Sequence, residues 1–229
     1  MDANIQAAAA RLSRRLKKGN HTLTLAESCT GGLLASTLTD ISGSSAWFQR
    51  AFITYANEAK IEELGVDPED LASRGAVSAQ VAIQMAKGAL KRANADYAIS
   101  VTGIAGPTNE GSSKPVGTVY VGIASRTWAN AKRTQIGGTR AENKAGFVHF
   151  ALLTAMDCWD EAMVRMEEQI AKEISDIEAA LRQKAEREQE LARRNEAARE
   201  KAPWQDEAWE GEPKKKKLDL EVEWTDAEE

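Results

Sequence analysis

The residues whose types could do chemistry are concentrated in one short stretch, Gly43 to Lys60, which reads GSSAWFQRAFITYANEAK. It contains the adjacent serines Ser44 and Ser45, then Tyr55 and Lys60. A serine hydroxyl attacks an amide or ester carbon when a neighbouring base accepts its proton, and a lysine is such a base when burial lowers its pKa. Turn serines, a half-buried strand tyrosine and a surface lysine would give the same letters, so both interpretations stay open.

A second candidate site is the segment ESCTGG, where a predicted strand gives way to a predicted helix. Its residues Glu27, Ser28, Thr30 and Gly31 precede the helix that LLASTLTD is expected to form. A glycine pair allows close backbone approach, and the first N–H groups of a helix can bind a phosphate or another anion. A turn or helix-cap role for Glu27 or Ser28 is the alternative.

A third candidate is the hydroxyl-containing, glycine-rich segment SVTGIAGP, which holds Thr102, Gly103 and Gly106 between two predicted strands. Ligands of open α/β sheets bind beyond the carboxyl ends of the strands, which favours a binding loop here. A glycine-rich connection without function would look similar. The two histidines are isolated in the sequence, so no metal site is expected.

The elements that must position these residues alternate between helix and strand up to about residue 155. Helical periodicity covers residues 3–18, 33–40 and 78–94, and a last helix is expected to begin near Arg140. The β-rich runs HTLTLA, RAFITYA, DYAISVTG and GTVYVGIAS are bounded by turn residues. This alternation predicts an α/β fold, a three-layer α/β/α sandwich, for residues 1–155.

The rest of the chain has a different composition, dominated by Glu, Lys, Arg, Gln and Ala. Residues 156–202 are predicted to form a long charged helix, whose apolar seam suits a coiled coil or the surface of the domain. The seam consists of Met163, Met166, Ile170, Ile174, Ile177 and Leu181. Residues 203–229 form an acidic tail with three tryptophans, predicted to be disordered, with binding to a protein partner as the alternative.

Net charge, cysteine content and the length of apolar runs exclude several classes of protein. A net charge of -5 over 229 residues argues against a general nucleic-acid binder. Two cysteines without CxxC spacing indicate neither a disulfide framework nor a zinc site. Because no apolar run of about 20 residues and no signal peptide is evident, a cytoplasmic protein without a membrane span is expected.

Six motifs in the same order resemble those of the CinA C-terminal domain family, the bacterial nicotinamide-nucleotide amidohydrolases. They are AESCTGG, GSSAWF, TYANEAK, GAVS, SVTGIAGP and KPVGTVYVGIA, and the resemblance covers residues 7–154. It implies hydrolysis of the carboxamide of nicotinamide mononucleotide to nicotinic acid mononucleotide and ammonia, in pyridine nucleotide salvage, without a metal or cofactor. It also implies that Ser45 is the nucleophile, Lys60 its base and Tyr55 an assisting group.

The resemblance further implies a nucleotide pocket and a homo-oligomer. Expected to contact the substrate are Glu27, Ser28, Thr30, Gly31, Ser44, Thr102, Gly103, Gly106, Arg140 and Lys144. The N–H groups near Ser44 would hold the oxyanion, and either glycine-containing loop would hold the phosphate. Lys144 departs from the family pattern, which has a second arginine there; a lysine meets phosphate as a point charge and not as a two-pronged donor.

Two other functions fit the same sequence. One is a nucleotide-binding sensor or scaffold without catalysis, whose C-terminal extension binds a partner. The other is an amidase for a different nucleotide or a small amide. Release of ammonia separates the sensor from the enzymes, and a panel of substrates separates the two enzymes.

Overall fold

The structure is a computed structural model that describes residues 2–109 and 111–200. The chain divides into two compact units, Met1–Glu168 and Gln169–Glu229. The helices are α1 (Ala3–Gly19), α2 (Leu33–Thr39), α3 (Asn57–Leu64), α4 (Pro68–Arg74), α5 (Ala79–Ala93) and α6 (Arg140–Glu200). The strands are β1 (Leu23–Glu27), β2 (Phe48–Ile53), β3 (Tyr97–Gly103), β4 (Thr118–Ser125) and β5 (Ala129–Gln135).

The first unit is built on one mixed sheet with the strand order β2-β1-β3-β4-β5. Strands β2, β1 and β3 run parallel, and β4 and β5 continue the sheet as antiparallel neighbours. After β1 the chain moves outward to β2 and then returns to β3 on the other side of β1. The strand order therefore reverses between β1 and β3, and such a reversal leaves a crevice at the carboxyl ends of the strands.

Helices cover both faces of the sheet, as the periodicity predicted. One hydrophobic cluster joins the sheet to α1, α2 and the start of α6, and the other joins it to α5 with contributions from α3 and α4. In α1 the buried residues recur at helical spacing, from Ile5 through Leu12 to Leu16, so one stripe of the helix faces the core. The central strand β1 is buried along its whole length. The three-layer α/β/α fold is confirmed.

Several elements differ from the expectation. Strand β5, whose sequence is ANAKRTQ, was not predicted, because a polar edge strand lacks the apolar run that marks buried strands. The short helices α3 and α4 were not predicted either. The last helix of the domain and the long charged helix are one continuous helix, and the first compact unit extends to Glu168, beyond the boundary expected at residue 155.

The second unit is helical as far as the structure describes it. Of the predicted apolar seam, Met163 belongs to the first unit and packs against its core, whereas the seam residues of the second unit are exposed, Ile170 by 47% and Leu181 by 62%. The predicted tail, residues 203–229, lies outside the described residues. Among the residues described, no helix is long and apolar enough to cross a membrane.

Candidate functional site

A pocket of about 560 Å³ lies at the carboxyl ends of β2, β1 and β3, in the first unit. Segments from distant parts of the sequence meet there because parallel strands end at the same edge of the sheet. Of the residues expected from the sequence, the structure brings Ser28, Tyr55, Lys60, Thr102, Gly103, Gly106 and Arg140 into the pocket lining.

Lys60 is the buried cation of this pocket. It lies in the first turns of α3, where side chains lean toward the helix N-terminus, and it folds back onto the chain that leaves β2. Its Nζ donates to the carbonyl oxygens of Thr54 (3.0 Å), Tyr55 (3.0 Å) and Ala56 (3.4 Å). The residue is only 1% exposed although its side chain lines the pocket. Among the described residues, backbone carbonyls and no carboxylate accept from this lysine.

The surroundings of Lys60 favour its neutral amine form more than bulk water does. Burial lowers the pKa of Lys60, and this effect outweighs the opposing influence of Cys29 and Glu58. An ammonium has three N–H donors, which matches the three carbonyl oxygens, whereas a neutral amine has two donors and one lone pair. The loss of one proton thus leaves Lys60 held by two carbonyls, with a lone pair able to accept a proton.

Tyr55 and Arg140 form the exposed wall of the pocket. An Arg140 guanidinium N–H donates to the Tyr55 hydroxyl at 2.7 Å, and another donates to the carbonyl oxygen of Gly106. Tyr55 is 57% exposed, so its position depends on this contact more than on packing. Because the tyrosine oxygen accepts from Arg140, its own proton remains able to bond a ligand.

The ends of β1 and β3 form the floor of the pocket. The Thr102 hydroxyl donates to Ala76 O at 2.8 Å, which ties β3 to the loop after α4. Ser28 N donates to Val101 O at 3.0 Å and fixes the turn after β1. Burial raises the pKa of the neighbouring Cys29 thiol to about 12. A thiol nucleophile acts as its thiolate, so Cys29 is unsuited to that role.

Glu27 does not line the pocket, and its carboxylate has a structural role. It accepts from the N–H groups of Gly32 (2.9 Å), Leu34 (3.2 Å) and Ala35 (2.7 Å) at the start of α2. The expectation that these N–H groups would hold a substrate phosphate is therefore corrected. The glutamate of the same chain occupies the anion-binding end of the helix, as its alternative cap role predicted.

Thr30, Gly31 and Lys144 lie outside the pocket lining. Thr30 is buried, and its hydroxyl has no hydrogen-bond partner in the part of the chain that the structure describes. Lys144 Nζ lies 3.6 Å from the point that a Cβ on Gly31 would occupy, so the lysine of α6 covers the turn after β1. Lys144 is thus positioned above the ESCTGG segment.

Ser44 and Ser45 lie at the opposite end of β2 from Lys60. They belong to a single 3₁₀ turn, Ser44–Ala46, that precedes the strand, and Lys17 Nζ at the end of α1 donates to Ser42 O there at 3.2 Å. The strand itself spans about 17 Å at a rise of ~3.3 Å per residue. Within one chain, therefore, Ser45 and Lys60 do not meet, because Lys60 folds back onto the carboxyl end of β2 and not onto its amino end.

Sequence reasoning missed several lining residues, among them Asn57, Arg74 and Lys114. Arg74 ends α4 and Lys114 lies in the loop before β4, and Lys114 Nζ donates to Arg74 O at 3.3 Å. Within the described ranges, the charged lining residues are Lys60, Arg74, Lys114 and Arg140, all of them basic. Such a pocket attracts a negatively charged ligand. The described residues contain no group of three or more metal-ligating side chains.

Known proteins are similar in sequence to the first part of this chain. A nicotinamide-nucleotide amidohydrolase, PncC, from Escherichia coli strain K12 is 46% identical over 154 residues, which cover 67% of this chain and 93% of that enzyme. A CinA-like protein from Chlorobium limicola is 50% identical over 149 residues, 63% of this chain but only 35% of that protein. The same module thus also occurs within longer chains.

Solved structures agree with the fold. The competence/damage inducible protein CihA from Agrobacterium tumefaciens matches with a TM-score of 0.66 and 41% sequence identity, over 69% of this chain and 96% of that one. A CinA superfamily protein from Escherichia coli matches with a TM-score of 0.64 and 34% identity, over 68% and 91%. The profile of the CinA C-terminal domain matches residues 5–159. The chain belongs to the CinA C-terminal domain family.

Proposed function

We propose that this protein is an amidohydrolase that converts nicotinamide mononucleotide to nicotinic acid mononucleotide and ammonia, as a step of pyridine nucleotide salvage in the cytoplasm. The observation that carries the proposal is the 46% identity to a nicotinamide-nucleotide amidohydrolase over 93% of that enzyme. The pocket at the carboxyl ends of β2, β1 and β3 supports it, because its charged residues suit a nucleotide phosphate.

The substrate has two ends with different chemical needs. Its phosphate is an anion, and the lining cations other than the buried Lys60 are accessible: Arg74 and Arg140 are exposed and Lys114 is half-buried. Arg74 already pairs with Asp70 at 2.9 Å. Arg140 uses two of its donors on Tyr55 and Gly106, and a guanidinium has five. We therefore assign the phosphate to the Arg140 and Lys114 side, and the carboxamide to the buried side where Lys60 lies.

The reaction that we propose is acyl transfer to a serine, followed by hydrolysis. Neutral Lys60 accepts the proton of the attacking serine hydroxyl as the oxygen bonds to the carboxamide carbon. The proton then passes to the amide nitrogen, the C–N bond breaks, and ammonia leaves. Water attacks the resulting ester while Lys60 takes its proton, and the acid is released with the serine restored.

Tyr55 has a supporting part in this reaction. Its hydroxyl oxygen accepts from Arg140, which leaves its proton to donate to the carboxamide oxygen as negative charge develops there. Donors aimed at developing charge contribute strongly to acyl transfer when the site excludes water. Arg140 thus both binds the phosphate side and orients Tyr55.

Two serines are candidates for the nucleophile of this reaction. The family resemblance implies Ser45 as the nucleophile, and one copy of the chain keeps Ser45 at the other end of β2. Ser28 lines the pocket of the same chain, with its backbone fixed by Val101. Replacing either serine by alanine separates these two assignments, since only the nucleophile is indispensable for forming the ester.

The test of the proposed function is the product balance on three amides. Nicotinamide mononucleotide, nicotinamide riboside and nicotinamide are each incubated with the protein, and ammonia and the acid product are measured. We expect equal amounts of ammonia and nicotinic acid mononucleotide from the nucleotide, and a much lower kcat/KM for the two compounds that lack phosphate. Calorimetric binding of the nucleotide without ammonia release would support the sensor instead, and preference for an unphosphorylated amide would change the substrate.

A further inference from the structure

The sheet of the first unit has two outer edges, β2 and β5, and none of the described strands pairs with the outer side of either. The sequence of β5 is polar, ANAKRTQ, whereas apolar side chains are exposed beside β2. Near the carboxyl end of β2 three large side chains are exposed, Ile53 by 56%, Tyr55 by 57% and Ile61 by 36%. An unprotected strand edge with exposed apolar side chains is a site for pairing with another strand.

The backbone of β2 shows which residues face outward. Arg50 O accepts from Thr24 Oγ1 at 2.9 Å, and Thr54 N donates to Glu27 O at 2.9 Å, so both face β1. Successive residues of a strand direct their N–H and C=O groups to opposite sides. Ala51 and Ile53 therefore present their backbone donors and acceptors to the outside.

We propose that β2 pairs antiparallel with β2 of a second copy of this chain, and that each active site is completed by Ser45 of the other copy. The inference rests on the proposed function, since it assigns the nucleophile of that reaction. An antiparallel two-fold pair places the amino end of one strand beside the carboxyl end of the other. Ser45 of each copy is thereby brought to the end of β2 where the other copy holds Tyr55 and Lys60.

The charge of Arg50 disfavours one register of this pair. A two-fold axis at Arg50 would set the two arginines opposite each other, and like charges directly opposite destabilise a strand pair. An axis at Ala51 sets two small residues opposite each other and lets their outward N–H and C=O groups form a pair of hydrogen bonds. Beyond the paired strands, this register brings the 3₁₀ turn Ser44–Ala46 of one copy to the end of β2 where α3 of the second copy begins.

That position is close to the proposed base. Paired strands lie about 4.8 Å apart, so the turn that precedes β2 in one copy lies beside the chain that follows β2 in the other. In the second copy the Asn57 backbone directly follows the carbonyls of Thr54, Tyr55 and Ala56, which hold Lys60 Nζ. The occupant is a second copy and not an unrelated peptide, because a two-fold pair covers the β2 edge of both copies and brings the serine-bearing turn of each copy to the pocket of the other.

Mixing two inactive variants tests the inference directly. In a mixed dimer of Ser45→Ala and Lys60→Met, one site combines the intact Ser45 of one copy with the intact Lys60 of the other. The two variants are co-expressed with different tags and compared with each variant alone. Random pairing makes half of the dimers mixed, with one intact site each, so about a quarter of wild-type turnover is expected.

A second variant controls for the possibility that Lys60→Met loses turnover through misfolding. Tyr55→Phe changes an exposed residue at the same end of β2, and it is paired with Ser45→Ala in the same way. The mixture is expected to exceed the mean turnover of the two separate variants. If wild type is active and the turnover of the mixtures stays at that mean, the inference is wrong and the proposed function still stands. If wild type is inactive, the proposed function itself is wrong.

The strand edge is tested with a matched pair at Ala51. Ala51→Pro removes an outward N–H and no hydrogen bond to β1, and proline is tolerated on an edge strand in that orientation. Ala51→Ser keeps the N–H. We expect sedimentation to show dimers for wild type and Ala51→Ser, and monomers with at least tenfold lower turnover for Ala51→Pro. Monomeric wild type with full turnover, or Ser28→Ala inactive with Ser45→Ala active, would contradict the shared site.

Discussion

The two ends of β2 carry similar side chains and have different physical character. At the amino end Ser44 and Ser45 lie in an exposed turn, and the exposed Lys17 donates to the carbonyl of Ser42. At the carboxyl end Lys60 also donates to backbone carbonyls, but it is buried and its pKa is lowered. A lysine bonded to the backbone is thus exposed to solvent at one end and a potential base at the other. Burial, and not residue type, determines which of the two lysines can act as a base.

The comparison also shows how the fold separates reactive groups. One end holds the proposed base and the other the proposed nucleophile, and the strand between them is too rigid and too long to bring them together. A pocket that binds the substrate can therefore form within one chain, while the proposed chemistry depends on how two chains pair. The exposed edge of β2 links the two ends.

The largest effect is expected from the serines at the amino end. Ser45→Ala should lower kcat by at least about 1,000-fold, because the ester cannot form. Ser44→Ala is the matched control: the Ser44 hydroxyl makes one long contact with Thr39 O, at 3.4 Å, so its turnover should stay within a few-fold. Steady-state ammonia release measures both. Equal losses of turnover in Ser45→Ala and Ser44→Ala would show that this turn has a structural role and not a catalytic one.

A smaller effect is expected at the exposed wall of the pocket. Arg140→Ala removes the donors to Tyr55 and Gly106 and one cation near the phosphate, so KM should rise by roughly tenfold or more. Arg140→Lys keeps the charge but cannot hold both acceptors, and we expect it to recover only part of the loss. Arg14→Ala, a change at an exposed arginine of α1, should leave KM unchanged. If Arg140→Ala changed only stability, Arg140 would not belong to the binding site.

The pH dependence of kcat/KM tests whether Lys60 is the base. Burial lowers the pKa of Lys60 from its usual value of 10.5, so the neutral amine is present at lower pH than for an exposed lysine. Because the neutral form is the base, kcat/KM should rise with pH up to the lowered pKa and then level off. The profile of wild type measured over roughly pH 6 to 10 checks this. A flat profile, or one that falls with pH, would exclude Lys60 as the base.

The smallest effect is expected outside the first unit. Ile177 is 61% exposed on α6, so Ile177→Glu should leave kcat/KM and the free energy of unfolding of the first unit nearly unchanged, within about 0.5 kcal/mol. Thermal unfolding and ammonia release measure the two quantities. Loss of turnover in this variant would assign the second unit a part in the reaction.

Much of the fold follows from local sequence. The helical stripe of α1 and the glycine-bounded strands β1, β3 and β4 were predicted because apolar periodicity and turn residues act over a few neighbours. Strand β5 was missed because its polar edge sequence is stabilised by pairing with β4, which is a long-range contact. The compact unit extends past residue 155 because Met156 and Trp159 pack into the core, which composition does not show.

The site was less predictable than the fold, for a physical reason. The types of Tyr55, Lys60, Thr102 and Arg140 drew attention, but the burial of Lys60 depends on where α3 places it. Glu27 looked like a ligand-binding residue because its role as the cap of α2 is formed only once the turn folds back. Arg74 and Lys114 reach the pocket through tertiary structure alone.

The proposed chemistry at the carboxyl end of β2 is tested most directly by one parallel measurement of product formation. Wild type, Lys60→Met and the exposed control Lys87→Met are given nicotinamide mononucleotide, and ammonia and nicotinic acid mononucleotide are measured alongside thermal unfolding. We expect equal amounts of the two products from wild type and Lys87→Met, and a loss of about 100-fold or more in kcat for folded Lys60→Met. Full turnover by folded Lys60→Met would contradict the account, because the reaction would then not use the buried lysine.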